Sequence, residues 1–182
     1  MIIQIRGTSG SGKSTLVRNL LDLGARTKYH EPGRKQPVGY LVAGPKTNFA
    51  VPGHYESACG GCDTLPGQDK TFAMVRTALR YAPTVIFEGL LASEEVNRTV
   101  QLHSDFPGEL TVLHLTTPVE ECLVSIRARR EARGDDRPLK EDNTRNRVKV
   151  IQRACDRLEQ AGVEVHSVSR EGAANYLRGM LA

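Results

Sequence analysis

The sequence contains no run of eighteen apolar residues, so nothing in it reads as a membrane-spanning helix and a membrane partner is not expected. It does not open on a charged leader followed by an apolar stretch. Its first residues look like a core strand, and the expectation is a soluble, cytoplasmic chain. Internal repeats and low-complexity tracts are also absent, which excludes solenoids and compositionally biased linkers. Cysteine is scarce: Cys59, Cys62, Cys122 and Cys155, with one C-x-x-C pair at Cys59-Gly60-Gly61-Cys62. Structural zinc wants four ligands, and His54 is the only nearby imidazole, so this tetrapeptide reads as a glycine-shaped loop wall rather than a zinc or redox pair. No obligatory protein partner is evident.

What is present fits one α/β domain spanning residues 1–182. A chain of 182 residues with 39% hydrophobic content can bury one sizeable core. A net charge of +4 and a pI near 9.0 tolerate nucleic acid as a partner without demanding it.

The most informative segment is Gly7-Thr8-Ser9-Gly10-Ser11-Gly12-Lys13-Ser14, a complete G-x-x-x-x-G-K-[ST] phosphate loop. It follows the apolar, β-branched Met1 to Arg6 and opens an amphipathic helix with Leu16, Val17, Leu20 and Leu21 on one face. Glycines let the backbone curl around a polyphosphate, and amides at a helix start point at the anion. Lys13 is expected on the β- and γ-phosphates, Ser14 on Mg²⁺ and Thr15 near the α-phosphate of a nucleoside triphosphate, most simply ATP.

Downstream, apolar strands alternate with helices. Strands are expected near residues 26–30, 84–87, 110–115 and 163–168, and helices at 72–82, 94–102, 119–133, 143–161 and 171–181. Thr117-Pro118-Val119-Glu120 reads as a capping box with proline at the first helical position. The predicted fold is a doubly wound, mostly parallel five-stranded sheet of the P-loop kinase type, with helices on both faces. Residues 31–68 interrupt the alternation with five prolines and many glycines, and Val38 to Val42 can pair with Asn48 to Val51 as a hairpin. A connection this long suggests function, here an acceptor-binding insert.

A phosphate loop serves switches, motors and kinases alike, so the reaction must be read elsewhere. No guanine-reading Asn-Lys-x-Asp segment is present, and the chain is short for a remodelling ATPase. Glu88 ends a buried strand beside the phosphate loop, where a carboxylate holds Mg²⁺ through water or orients a hydroxyl. The helix ending in Arg127, Arg130 and Arg133 suggests a lid over residues 127–142 that neutralises the transferred phosphoryl group, with Arg129 facing elsewhere as a bystander. Asp63, and behind it Glu31, are the candidate bases. Tyr40, His54, Tyr55 and Thr64, with Phe49, are candidate acceptor contacts in the insert, the flat rings suited to stacking on a base. Each has a plainer reading: a solvated basic face for the arginines, turn or cap carboxylates for the acids, and a self-filled hairpin for the aromatics.

His30-Glu31-Pro32-Gly33 is similar to the segment after the second strand of thymidylate kinases. That family follows its third strand with an Asp-Arg pair, where this chain has Glu88-Gly89-Leu90-Leu91. A broader resemblance covers nearly the whole chain: the phosphate loop, Gly53-His54-Tyr55, Cys59 to Thr64, Phe87 to Leu91, Thr116-Thr117-Pro118 with Cys122, Arg127 to Gly134, and Asn143-Thr144. In that order these segments resemble the phage 5-hydroxymethyluracil DNA kinases. The resemblance implies transfer of the γ-phosphate of ATP to the hydroxymethyl oxygen of a modified thymine within DNA. The rival readings are a nucleotide, nucleoside or polynucleotide 5′-hydroxyl kinase, and a nucleotide-binding switch without an acceptor. Arg145, Lys149 and Arg153, at four-residue spacing on one helix, could follow a DNA backbone or simply be a solvated stripe.

Overall fold

The computed structural model describes residues 1–57 and 59–182. Its centre is β1 (Ile2–Arg6), flanked in parallel by β5 (Thr84–Glu88) and β6 (Leu110–Leu115). These strands are buried along their whole length, because helices cover both faces of the sheet and every second residue meets a different helical layer. Ile2, Val85, Phe87 and Val112 face one core, with Phe72 and Val75 of α2 (Gly67–Ala78), Leu102 of α4 (Asn97–Asp105) and Leu158 of α6 (Glu141–Gln160). Ile3, Ile5, Ile86 and Leu113 face the other, with Val17 and Leu20 of α1 (Lys13–Leu21) and Leu177 of α7 (Arg170–Leu181).

Among the described residues the sheet has seven strands, in the order β2-β3-β4-β5-β1-β6-β7. Five of them, from β4 (Asn48–Pro52) through β7 (Glu164–Val168), run parallel. The strand count exceeds the expected five because the hairpin of the insert joins the sheet. β4 takes the place beside β5, β3 (Gly39–Ala43) pairs antiparallel with it, and β2 (Ala25–Tyr29) is displaced to the antiparallel edge. The composition of the strands explains the exchange. β2 reads ARTKY and is exposed throughout, as suits an edge, whereas Phe49, Ala50 and Val51 of β4 are buried.

Two local expectations are corrected. The helix expected over 94–102 is two pieces, α3 (Leu90–Glu94) and α4, separated by extended backbone at Glu95. The capping box before α5 (Val119–Glu131) does not form: Pro118 is the N-cap, and the Thr117 hydroxyl donates instead to the carbonyl of Ser11, 2.9 Å away in the phosphate loop. No helix among the described residues is long and apolar enough to cross a membrane.

Candidate active site

An open cleft of about 740 Å³ lies at the carboxyl ends of β1 and β5. Ser9, Gly10, Gly12, Lys13, Ser14 and Thr15 line it, with Gly7, Thr8 and Ser11 completing the curl of the loop. Gly10 adopts φ +79°, and a Cβ there would lie 2.3 Å from the carbonyl oxygen of Cys122, so the loop packs directly on the backbone of α5. Lys13 is buried and its Nζ folds back onto the loop, donating to the carbonyls of Gly7 at 2.7 Å and Thr8 at 3.0 Å. Burial pulls its ammonium below the usual lysine value, an effect the charge of Glu88 opposes.

Glu88 is 1% exposed. Its Oε1 accepts a 2.8 Å hydrogen bond from Ser14 Oγ. Burial pushes its carboxyl above the ordinary carboxylate value, against the pull of Lys13 and Ser14. The Tyr55 hydroxyl lies beside this carboxylate, buried and with no well-formed hydrogen bond among the described residues. Gly61 supplies the remaining wall. It sits at φ +83°, and a Cβ there would lie 2.4 Å from Glu88 Oε1. The Cys-Gly-Gly-Cys turn is thus shaped by close approach to Glu88. Cys62 is buried with its thiol against the Pro52 carbonyl, Cys59 is exposed at the cleft, and both are free thiols.

Asp63 and Thr64 follow this turn and line the cleft. Asp63 is exposed to it, and its carboxylate also accepts the amides of Leu90 at 2.6 Å and Leu91 at 3.1 Å, the first turn of α3. Ser93 continues the chain of contacts, accepting the Gly7 amide at 3.2 Å and donating to the Gly89 carbonyl at 2.6 Å. The turn carrying Asp63, α3 and the phosphate loop are therefore one hydrogen-bonded unit.

Several expected residues lie elsewhere. Arg127 pairs with Glu141 of α6, and Arg130 donates to the Arg137 carbonyl within its own connection, so neither lines the cleft. Arg133 reaches the Cys59 sulfur at 3.3 Å, at the cleft mouth. Of the arginines at the end of α5, Arg129 lines the cleft, and its Nε is buried without a hydrogen-bond partner among the described residues. The helical register decides this. Cys122 touches the phosphate loop, and Ser125 and Arg129 extend that face by three- and four-residue steps, whereas Arg127 and Arg130 point away from it.

In the insert, Glu31 pairs with Lys70 in a separate groove of about 290 Å³. Tyr40, Phe49 and Tyr55 are buried in the sheet core they share with α1 and α7, and His54 is buried where its backbone bridges Gly61, so none of them presents a flat face to a ligand. The Tyr40 hydroxyl donates to Glu56 at 2.8 Å and accepts the Tyr55 amide at 3.0 Å, and burial pushes its phenol up to about 12. Sequence reasoning missed Arg18 and Arg170, which also line the cleft. Arg18 was legible as one helical turn beyond Ser14; Arg170 lies after the last strand, in a segment whose residues spell no readable base code.

Among curated proteins, a 5-hmdU DNA kinase of Pseudomonas phage PaMx11 is 44% identical to this chain over 183 residues, covering 99% of the chain and 96% of that relative. The chain belongs to the 5-hmdU DNA kinase family. A second 5-hmdU DNA kinase, from Pseudomonas phage M6, is 28% identical over 98% of the chain and 96% of its own length. A third, from Delftia phage PhiW-14, is 30% identical, and the chain covers 65% of it. No protein-family model matches. Among solved structures, a deoxyadenosine kinase from M. mycoides with bound dATP aligns with 99% of this chain and 98% of its own at 14% identity and a TM-score of 0.39. Sequence pattern and kinship thus agree on kinase chemistry, and the fold itself is an α/β sheet covered by helices.

Proposed function

We propose that this family member transfers the γ-phosphoryl group of ATP to the hydroxymethyl oxygen of 5-hydroxymethyluracil within DNA. The observation that carries the reading is the Ser14–Glu88 contact at the floor of the cleft, in a chain 44% identical to a named 5-hmdU DNA kinase. A phosphate loop alone holds a nucleotide; a buried carboxylate joined to its serine and facing an accessible second carboxylate makes the cleft suited to transfer.

The residues present fit Mg²⁺. Ser14 and Glu88 offer hard oxygen donors, and Glu88 is a buried carboxylate with the ammonium of Lys13 acting on it. Among the described residues no group of three or more His, Cys, Asp or Glu could cage a metal, which matches an ion that takes most of its ligands from phosphate and water. When bound, Mg²⁺ would neutralise charge on the phosphate oxygens. Ser14 and Glu88 would hold it, Lys13 would leave the Gly7 and Thr8 carbonyls for the β- and γ-phosphates, and Arg129 would meet charge spreading over the transferred group.

Asp63 is the carboxylate exposed to an incoming hydroxyl. A carboxylate has about four acceptor positions, and the two α3 amides leave some free for a proton. The hydroxymethyl oxygen bonds to the γ-phosphorus, the bond from that phosphorus to the β–γ bridging oxygen breaks, ADP leaves, and the hydroxyl proton passes to Asp63. A base inside a duplex must leave the stack to reach this turn, and flipping or single-stranded presentation both satisfy that requirement.

The test is incubation with γ-labelled ATP and a panel of acceptors: DNA containing hydroxymethyluracil, ordinary DNA with 5′-hydroxyl ends, thymidine monophosphate and free nucleosides. Label on the modified polymer, surviving removal of its ends by exonuclease, is the expected result. Label only on ends or on free nucleotide overturns the proposed acceptor.

A further inference from the structure

The tip of the phosphate loop is gripped from outside. Arg170 donates from Nε to the Ser11 carbonyl at 2.9 Å and from a terminal nitrogen to the Gly10 carbonyl at 3.1 Å. Thr117 Oγ1 donates to the same Ser11 carbonyl at 2.9 Å. A Cβ on Gly12 would lie 3.1 Å from Arg170 Nε, so the guanidinium is seated against the loop backbone itself. The two donors come from the ends of neighbouring strands: Thr117 follows β6, and Arg170 begins α7 after β7. Both supports are fixed. Ser169 caps α7 by accepting the Gly172 amide at 3.0 Å, and Thr116 bonds the Val168 carbonyl through its amide at 3.0 Å and its hydroxyl at 3.2 Å.

We propose that Arg170, backed by Thr117, is a positioning residue that holds the phosphate loop in its anion-binding shape before the nucleotide arrives. In a trans peptide the carbonyl and the following N–H point in opposite directions. Holding the Gly10 and Ser11 carbonyls outward therefore turns the Ser11 and Gly12 amides inward, and the Ser11 amide does bond across the curl to the Thr8 carbonyl at 3.2 Å. A glycine-rich loop without such a grip would sample many backbone states, and ordering it would subtract from nucleotide affinity. The fork of an arginine suits the task because two adjacent carbonyls need two donors at fixed spacing. Its third contact, Glu121 at 3.7 Å, is an exposed ion pair and contributes little.

The inference rests on the reading of the cleft as an ATP site and is independent of the acceptor. The experiment measures equilibrium ATP binding and hydrogen exchange on the full chain, with wild type, Arg170→Gln, Arg170→Lys, Thr117→Val and Glu121→Gln. Arg170→Gln should weaken ATP binding about tenfold and Thr117→Val about threefold, with Arg170→Lys in between and Glu121→Gln unchanged. In steady-state assays the Arg170→Gln loss should appear in KM for ATP, with kcat within about twofold. Without nucleotide, amides of residues 8–13 should exchange faster in Arg170→Gln while those of α7 do not. Unchanged affinity in Arg170→Gln, the same loss in Glu121→Gln, or weaker binding without faster exchange in the loop would each overturn the positioning role. Should Arg170→Gln fail to fold, unchanged ATP affinity in Thr117→Val overturns it as well. A wild-type chain that does not bind ATP overturns the nucleotide reading itself and the grip with it.

Discussion

Ser14 Oγ, in the first turn of α1, donates a 2.8 Å hydrogen bond to Oε1 of Glu88, the last residue of β5. The contact joins the loop that would hold phosphate to the strand end that bears the buried carboxylate. Glu88→Gln keeps the shape and loses the charge. Transfer to hydroxymethyluracil DNA should fall by about 10²-fold or more in kcat, the scale seen when one preorganised electrostatic partner is removed. ATP affinity without metal should change by less than about threefold, which equilibrium binding would check.

The same carboxylate sets a pH dependence. Burial raises the folded value of Glu88 above its unfolded one, so the protonated form is favoured by folding. The stability this confers is full below the unfolded value and is lost as pH rises through the raised folded value. Thermal unfolding of wild type and Glu88→Gln should therefore diverge with pH. Wild type loses stability relative to the variant on going from about pH 4 to pH 8. A constant difference across that range would contradict the burial argument.

Lid arginines should separate by helical face rather than by sequence neighbourhood. Arg129→Ala should lower kcat by about 10²-fold, because its guanidinium lines the cleft with an Nε that has no hydrogen-bond partner among the described residues. Arg127→Ala removes an exposed ion pair with Glu141 and should leave kcat within about threefold and stability within about 1 kcal/mol. Equal losses in the two variants would argue for a lid that closes in a different register.

Glycine-to-alanine substitutions give a graded test of the acceptor wall. Gly33 and Gly61 both have positive φ, so alanine costs about 1–2 kcal/mol of backbone strain at either. At Gly33 a Cβ meets nothing within 4 Å, while at Gly61 it strikes Glu88 Oε1. Gly61→Ala should therefore show a larger loss of stability than Gly33→Ala by denaturant unfolding, and should lose transfer activity where Gly33→Ala retains it.

Most of the scaffold was legible because its signals are local. The phosphate loop, the β5 and β6 runs and the faces of α1 and α6 follow from spacing of apolar residues within a few turns or strand steps. Glu88 was legible for the same reason, as a carboxylate ending an apolar strand. The place of β4 was not, since a strand's neighbours depend on competition between β2 and β4 for one position beside β5, and only the charged side chains of β2 hint at the outcome. The burial of Tyr40, His54 and Tyr55 has the same origin: once the hairpin joins the sheet, its rings have a core to fill. Arg129 was misread because four arginines in seven residues give no clue to which face meets the loop until Cys122 is placed against Gly10.

The exchange of β2 for β4 also bears on how the chain acquires its shape. β2, β3 and β4 pair with immediate sequence neighbours, so this meander can form from contacts of short range. β1 is translated well before its two partners, β5 and β6, which come from the middle and the second half of the chain. Until they emerge from the ribosome, Ile2, Ile3 and Ile5 have no sheet to enter, and the phosphate loop that β1 carries has no strand to hang from. The strand at the centre of the sheet is thus made well before its partners, and chains stalled ahead of β5 should be captured by chaperones through it.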